Sequence, residues 1–397
     1  MKRNHVLCGS ASVLALLFAG ATPVQNHALA QGGGAQAPRL DVDPLWPKPL
    51  GNHQILGSVT GVTVDAQNHI WVTHRGLDSL GGNEKGPTLT PPASQCCFAA
   101  PAVLEFDQPG NLIGHWGGPG QGYQWPQAPS GIAVDSKGNV WVAGAGVDPP
   151  PAGRGRGGPG GGRAEAPAAP VPGDAHVLKF SRTGQFLLQI GAPGKMEGPD
   201  SQTTLNRPTM VAYDAAANEI YVADGGNRRV VVFDADKGTY KRHWGAYGEK
   251  PGDAPSGPYD PAAPPPRQFR DVSCVKISRD NQVYVCDRRN DRIQVFQIDG
   301  KFVTEAIVSR TTLGDGAVWD VAFSSDPQQQ FVFVADGHDK KVLILQRGTL
   351  QQVGSFGDGG RLPGRFYAVG SVSVDAQGNV YTGENLEGKR VQKWLRR

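Results

Sequence analysis

VTVDAQNHIWV, at residues 62–72, decides the fold, because its pattern returns five more times along the chain. It reads apolar-x-apolar-Asp, a turn, then apolar-aromatic-apolar. The other copies, some looser, are IAVDSKGNVWV (132–142), VAYDAAANEIYV (211–222), VKISRDNQVYV (275–285), VAFSSDPQQQFVFV (321–334) and VSVDAQGNVYT (372–382). The matched aromatics are Trp71, Trp141, Tyr221, Tyr284, Phe333 and Tyr381. Alternating runs of this length, bounded by Asp, Asn and Gly, are strands joined in hairpins. A second apolar run follows each copy and ends at Phe106, Phe180, Phe233, Phe296, Leu345 and Trp394. A third follows five copies, as in NLIGHWG (111–117) and YKRHWG (240–245).

A unit of three or four short strands cannot bury its apolar face alone, but packing six such units around an axis can. The predicted fold is therefore all-β, a six-bladed β-propeller, with the aromatics filling a layer between blades. Arg397 follows directly on the third strand of the last unit. The segment Leu40–Trp46 is expected to supply the missing fourth strand and so cover the last open edge.

Working outward, residues 1–30 read as a cleavable export signal: Lys2 and Arg3, an apolar stretch from Val13 to Ala19, then Ala28-Leu29-Ala30. The apolar run is too short to anchor in a bilayer, which predicts a soluble protein of the periplasm or exterior. Removing this segment takes away two positive charges and leaves a formal net charge of +1. A near-neutral chain without a basic stripe is not expected to bind nucleic acid. Residues 31–54 form an N-terminal segment with the closing strand, and residues 55–397 the propeller. Insertions fall at 76–101, 147–174 and 246–268; the second has almost no bulky apolar residue and is expected to be disordered. Such loops are where a propeller carries function.

Four cysteines remain in the exported part. A hairpin centred near Asp280 sets Cys274 opposite Cys286, within disulfide reach. Cys96 and Cys97 are adjacent, and the sequence leaves open whether they join each other or bridge elsewhere.

The stretches VYVCDRRNDRIQVFQIDGKFV (283–303) and IYVADGGNRRVVVFD (220–234) resemble NHL repeats, including the Asp-x-x-Asn-x-Arg spacing of Asp224, Asn227 and Arg229 and of Asp287, Asn290 and Arg292. Polar residues shared by most blades belong to the scaffold. On that ground Asp224, Asp287, Asp336 and Glu384 are turn caps, and Arg229, Arg292, Lys341 and Arg390 are read alike. Those that break the repeat are candidates for function: His74, Arg75, Arg270, Arg288, Asp320, His338 and Tyr367.

VTGVTVDAQNHIWVTHRG (59–76) and CDRRNDRIQVF (286–296) further resemble peptidyl-α-hydroxyglycine α-amidating lyase. That family cleaves a C-terminal α-hydroxyglycine to a peptide amide and glyoxylate, using an axial zinc on three histidines. The resemblance implies substrate contacts at Arg75 and Arg288, and calcium-binding backbone carbonyls at Val62 and Ile132. The zinc positions, however, fall on Ser130, Ser273 and Gly370. The calcium aspartate falls on Ser371, the base on Gly226 and a substrate-side methionine on Ala368. The interval from the zinc position to the end of the second strand is the same in three blades (130 to 144, 273 to 287, 370 to 384), which argues against a shifted alignment. Hydroxyls are poor zinc ligands, so zinc is not expected.

The preferred reading is a binding or scaffold propeller whose axial mouth takes a peptide, protein or small carboxylate ligand, with Arg75, Arg288, Asp320 and His338 as candidates. The alternative is an enzyme: a diverged lyase, or a calcium-dependent hydrolase drawing on Asp320, Asp271 and Glu384. His74 and His338 have no nucleophile motif beside them.

Overall fold

The computed structural model describes residues 36–145, 173–252 and 257–397. The expected signal and most of the 147–174 insert lie outside them. Six four-stranded antiparallel sheets form the blades. Blade one is Val59–Val64, Ile70–His74, Val103–Phe106 and Leu112–Trp116; blade two is Pro129–Val134, Val140–Gly144, His176–Phe180 and Phe186–Gly191. Blade three is Pro208–Asp214, Glu219–Asp224, Arg229–Asp234 and Tyr240–Trp244. Blade four comprises Val272–Ile277, Gln282–Asp287, Arg292–Gln297 and Phe302–Ile307, and blade five Asp320–Phe323, Phe331–Asp336, Lys341–Gln346 and Gln351–Phe356. Blade six takes Val369–Val374, Val380–Glu384 and Val391–Arg396 from the C-terminus and Leu40–Asp43 from the N-terminus.

That last pairing closes the ring, with Leu40 opposite Arg396 and Asp43 opposite Lys393. Trp46 then wedges between the first and last blades, its ring 5.0 Å from Tyr381 and 5.8 Å from Phe106. A short parallel pair, Gln54–Ile55 with Phe98–Ala99, ties down the long insert of blade one.

The Asp and aromatic of the repeat are spaced six apart for a physical reason. In blade one Asp65 Oδ1 accepts the N–H groups of Gln67 and His69, both at 2.9 Å, which shapes the hairpin. Its Oδ2 accepts the Trp71 indole N–H at 3.0 Å. Asp135 does the same for Trp141, and Asp375 for the Tyr381 hydroxyl. All six aromatics are buried, each side chain contributing about 2–3 kcal/mol of apolar burial. Cations stack on several of them: Arg182 over Trp71, Lys179 over Trp141, Arg242 over Tyr221 and Lys393 over Tyr381.

Cys274 and Cys286 are register partners and form a disulfide, their Cα atoms 4.9 Å apart. Cys96 and Cys97 bond to each other. Among the described residues no helix is long and apolar enough to cross a membrane.

Candidate ligand-binding site

The innermost strand of most blades begins with a bulge, and the bulge builds the axial mouth. Register skips fall between Val59 and Gly61, Pro129 and Ile132, Pro208 and Met210, Val272 and Cys274, and Val369 and Ser371. A bulge re-aims a side chain. Here it exposes Thr60, Ser130, Thr209, Ser273 and Gly370 to one cavity on the axis. Blades approach so closely there that a Cβ on Gly61 would meet the Ser130 carbonyl at 2.9 Å.

Four of these residues are committed to holding the ring. Thr60 Oγ1 donates to the Pro129 carbonyl at 2.8 Å and Ser130 Oγ to the Thr209 carbonyl at 2.8 Å. Thr209 Oγ1 donates to Val272 at 2.7 Å, and Ser273 Oγ to Val318 at 3.0 Å. Each blade thus latches to the next, from the first through the fifth. The two serines at the lyase zinc positions already spend their protons on these latches, and Gly370 offers no side chain, so this donor set does not fit zinc. Nor is there room for a tyrosine at Gly226, where even a Cβ would lie 2.4 Å from Asn206. At the calcium position Ser371 Oγ is buried without a hydrogen-bond partner. With two carbonyls it makes a neutral set, ill-suited to a divalent ion.

What the mouth does hold is arginine. Arg75, Arg207, Arg288 and Arg289 line a cavity of about 130 Å³ with Asp271 as the one acid, beside Trp319 and Asn385. Arg288 binds Asp271 Oδ2 through Nε (3.0 Å) and Nη2 (2.6 Å) and lies 4.7 Å above the Trp319 ring. Burial alone would raise the Asp271 carboxyl, but Arg288, Arg289 and Arg207 together hold it below its ordinary range. Arg75 differs. Its Nε is buried with no hydrogen-bond partner among the described residues. Desolvation lowers its pKa; Asp174 offsets part of this and Arg288 adds to it.

Of the candidates named from sequence, Arg75 and Arg288 meet in this cavity, whereas Asp320 and His338 do not line it. Asp320 is fully buried, accepts the N–H of Val321 and of Val372, and pairs with Lys276 at 3.3 Å. Lys276 faces a larger cavity of about 460 Å³ at the other end of the innermost strands. His338 is exposed in the turn after the second strand of blade five. Arg270 turns outward to Asn290 Oδ1 at 2.9 Å, and Tyr367 stacks under Arg361. Glu384 is a buried cap that accepts the Tyr367 N–H at 2.5 Å and pairs with Arg390.

Sequence reasoning missed Arg207, Arg289, Trp319 and Asn385. Trp319 holds in blade five the position Ser273 holds in blade four, since Asp320 pairs with Ala335 as Cys274 does with Cys286. The longer hairpin of blade five, around Asp326-Pro327, hid that equivalence.

Fold and mouth together define a class, a six-bladed β-propeller of NHL type with an arginine-lined axis. The NHL repeat family matches residues 205–233 and 269–296. The chain is also 26% identical over 264 residues to the peptidylglycine alpha-amidating monooxygenase of Rattus norvegicus, and 26% over 267 residues to that of Mus musculus. These matches cover 66% of this chain but only 22% of either relative's length. Among solved structures a streptogramin B lyase is similar over 90% of this chain and 98% of that one, with a TM-score of 0.49 and 11% identity. The chain is an NHL-repeat propeller resembling the amidating-enzyme family.

Proposed function

We propose that this is an exported binding propeller whose axial mouth receives a carboxylate, such as a peptide C-terminus. One observation carries the reading: Arg75, desolvated beside Arg288, has a buried Nε with no hydrogen-bond partner among the described residues. A carboxylate between the two guanidiniums relieves their repulsion and accepts charge-assisted hydrogen bonds. A cavity of about 130 Å³ fits a carboxylate and a few further atoms, leaving the rest of a peptide outside.

Paired peptides, with a free or an amidated C-terminus, test this by calorimetry or Trp319 fluorescence. The acid is expected to bind at least about 10-fold more tightly, and Arg75→Ala to weaken it about 10- to 100-fold. Equal affinity for acid and amide would sink the proposal.

A second reading is favoured by the match to amidating enzymes, namely a diverged lyase acting on α-hydroxyglycine peptides. The mouth retains Arg75 and Arg288 but has its zinc-position hydroxyls latched between blades. The protein is expected to release no glyoxylate from such a peptide, with or without added zinc. Export rests on the charged and apolar pattern of residues 1–30 and on the two disulfides. N-terminal sequencing of the native protein should begin at Gln31; recovery of the intact leader in the cytoplasm would contradict it.

A further inference from the structure

In three blades the acid that ends the second strand is neutralised where it stands. Asp224 Oδ2 accepts from Arg229 Nε and from Asn227 Nδ2, both at 2.8 Å. Asp287 Oδ2 accepts from Arg292 Nη2 at 2.8 Å and Asn290 Nδ2 at 2.7 Å. Glu384 has Arg390. Blade five departs at both partner positions. The sequence runs Asp336-Gly337-His338-Asp339-Lys340-Lys341, so an aspartate replaces the asparagine and a lysine the arginine. Among the described residues no lysine, arginine or histidine is in ion-pair contact with Asp336 or Asp339.

A third carboxylate joins them from the neighbouring blade. Asp291 is fully buried. Its Oδ1 accepts the Ala317 N–H at 2.8 Å and its carbonyl the Val308 N–H at 2.7 Å. Its Oδ2 is buried without any hydrogen-bond partner, and the like charges acting on it are Asp336 and Asp339. The connector between blades four and five supplies two hydroxyls to the same place. Ser309 Oγ donates to Asp336 Oδ2 at 3.3 Å, and Thr312 Oγ1 to Asp339 Oδ2 at 3.2 Å. Burial first, and neighbouring acids second, push the Asp291 and Asp336 carboxyls up to about 7.

We propose that Asp291, Asp336 and Asp339, with the Ser309 and Thr312 hydroxyls, bind a calcium ion that takes the place of the arginine found in the other blades. Every donor is oxygen, which suits a hard cation and disfavours zinc or copper. The three carboxylates do not converge to within 4.8 Å of one another; among the described residues only Asp65, His69 and Glu105 do. That tighter group is already neutralised by Arg182, 3.2 Å from Asp65 and also bound to Glu105. Exposed Asp339 must therefore swing inward, so the expected dissociation constant is modest, about 0.1–1 mM.

The test uses the whole mature protein, stripped with a chelator and then titrated with calcium or magnesium by calorimetry and thermal melting. Calcium at about 10 mM should raise Tm by about 2–5 °C, and magnesium far less, because it demands tighter octahedral geometry. The double variant Asp339→Asn/Lys341→Arg rebuilds the turn of blades three and four. It should fold, melt higher than wild type in chelator, and bind calcium at least about 30-fold more weakly. Absence of any calcium response in wild type, an equal response to magnesium, or undiminished calcium binding by the double variant overturns the proposal.

Discussion

His74, at the end of the second strand of blade one, works as a neutral structural group. Its Nδ1 accepts the N–H of Gly57 and of Gly76, both at 3.0 Å, so the proton sits on Nε2 and is donated to the Pro101 carbonyl at 2.9 Å. Burial depresses its pKa from 6.5 to about 4, only partly opposed by the Pro101 bond. Unfolded chains take up a proton near 6.5, whereas the folded protein resists until about 4. Its contribution is therefore full above pH 6.5 and is lost as pH falls towards 4, amounting to about 3 kcal/mol. Urea denaturation of wild type and His74→Gln across that range should show the stability gap closing by about this amount. Buried Asp291 and Asp336 have raised values and so act with the opposite sign, which is why the difference between the two proteins, not wild type alone, is the readout. A gap independent of pH would contradict the neutral role. The sequence marked His74 as a departure from the repeat but carried no sign of the two N–H donors converging on it.

At the scale of elements, the bulged starts of the inner strands decide what the axis can do. Ser273→Ala removes the latch from blade four to blade five and leaves the Val318 carbonyl without its donor. The expected cost is about 1–2 kcal/mol, measurable as a lower urea midpoint with an unchanged slope. A neutral outcome would show that the latch is not holding the blades. The Cys274–Cys286 bond was legible beforehand because hairpin register is an arithmetic property of a turn centre. The Cys96–Cys97 bond was left open, since a loop gives no register. Nor could spacing alone tell a zinc-ligand position from a latch: both need a side chain turned towards the axis. Only the neighbouring blade's carbonyl, brought up by the fold, shows that the serine hydroxyl is taken.

The whole molecule is a ring, and its stability depends on closure. Deleting residues 31–46 removes both the Leu40–Asp43 strand and the Trp46 wedge. The strand Val391–Arg396 would then present an unpaired edge, the usual template for intermolecular pairing. Such a truncation is expected to melt well below the full mature chain and to aggregate on concentration; light scattering and calorimetry would register both. A monodisperse truncated protein with unchanged Tm would refute the closing role.

Six recurrences of VTVDAQNHIWV-like segments determined the architecture by themselves, because strand period, turn chemistry and burial of one aromatic per blade are local properties repeated along the chain. They also located the closing strand, since an incomplete last unit needs a partner. The content of the axis was decided only by tertiary structure. Arg75 and Arg288 are 213 residues apart in sequence, and Arg207 and Arg289 join them only when four blades converge. Likewise Asp320 read as a candidate and folded into a buried pair with Lys276, because whether a charge is free depends on which neighbour the ring brings within reach.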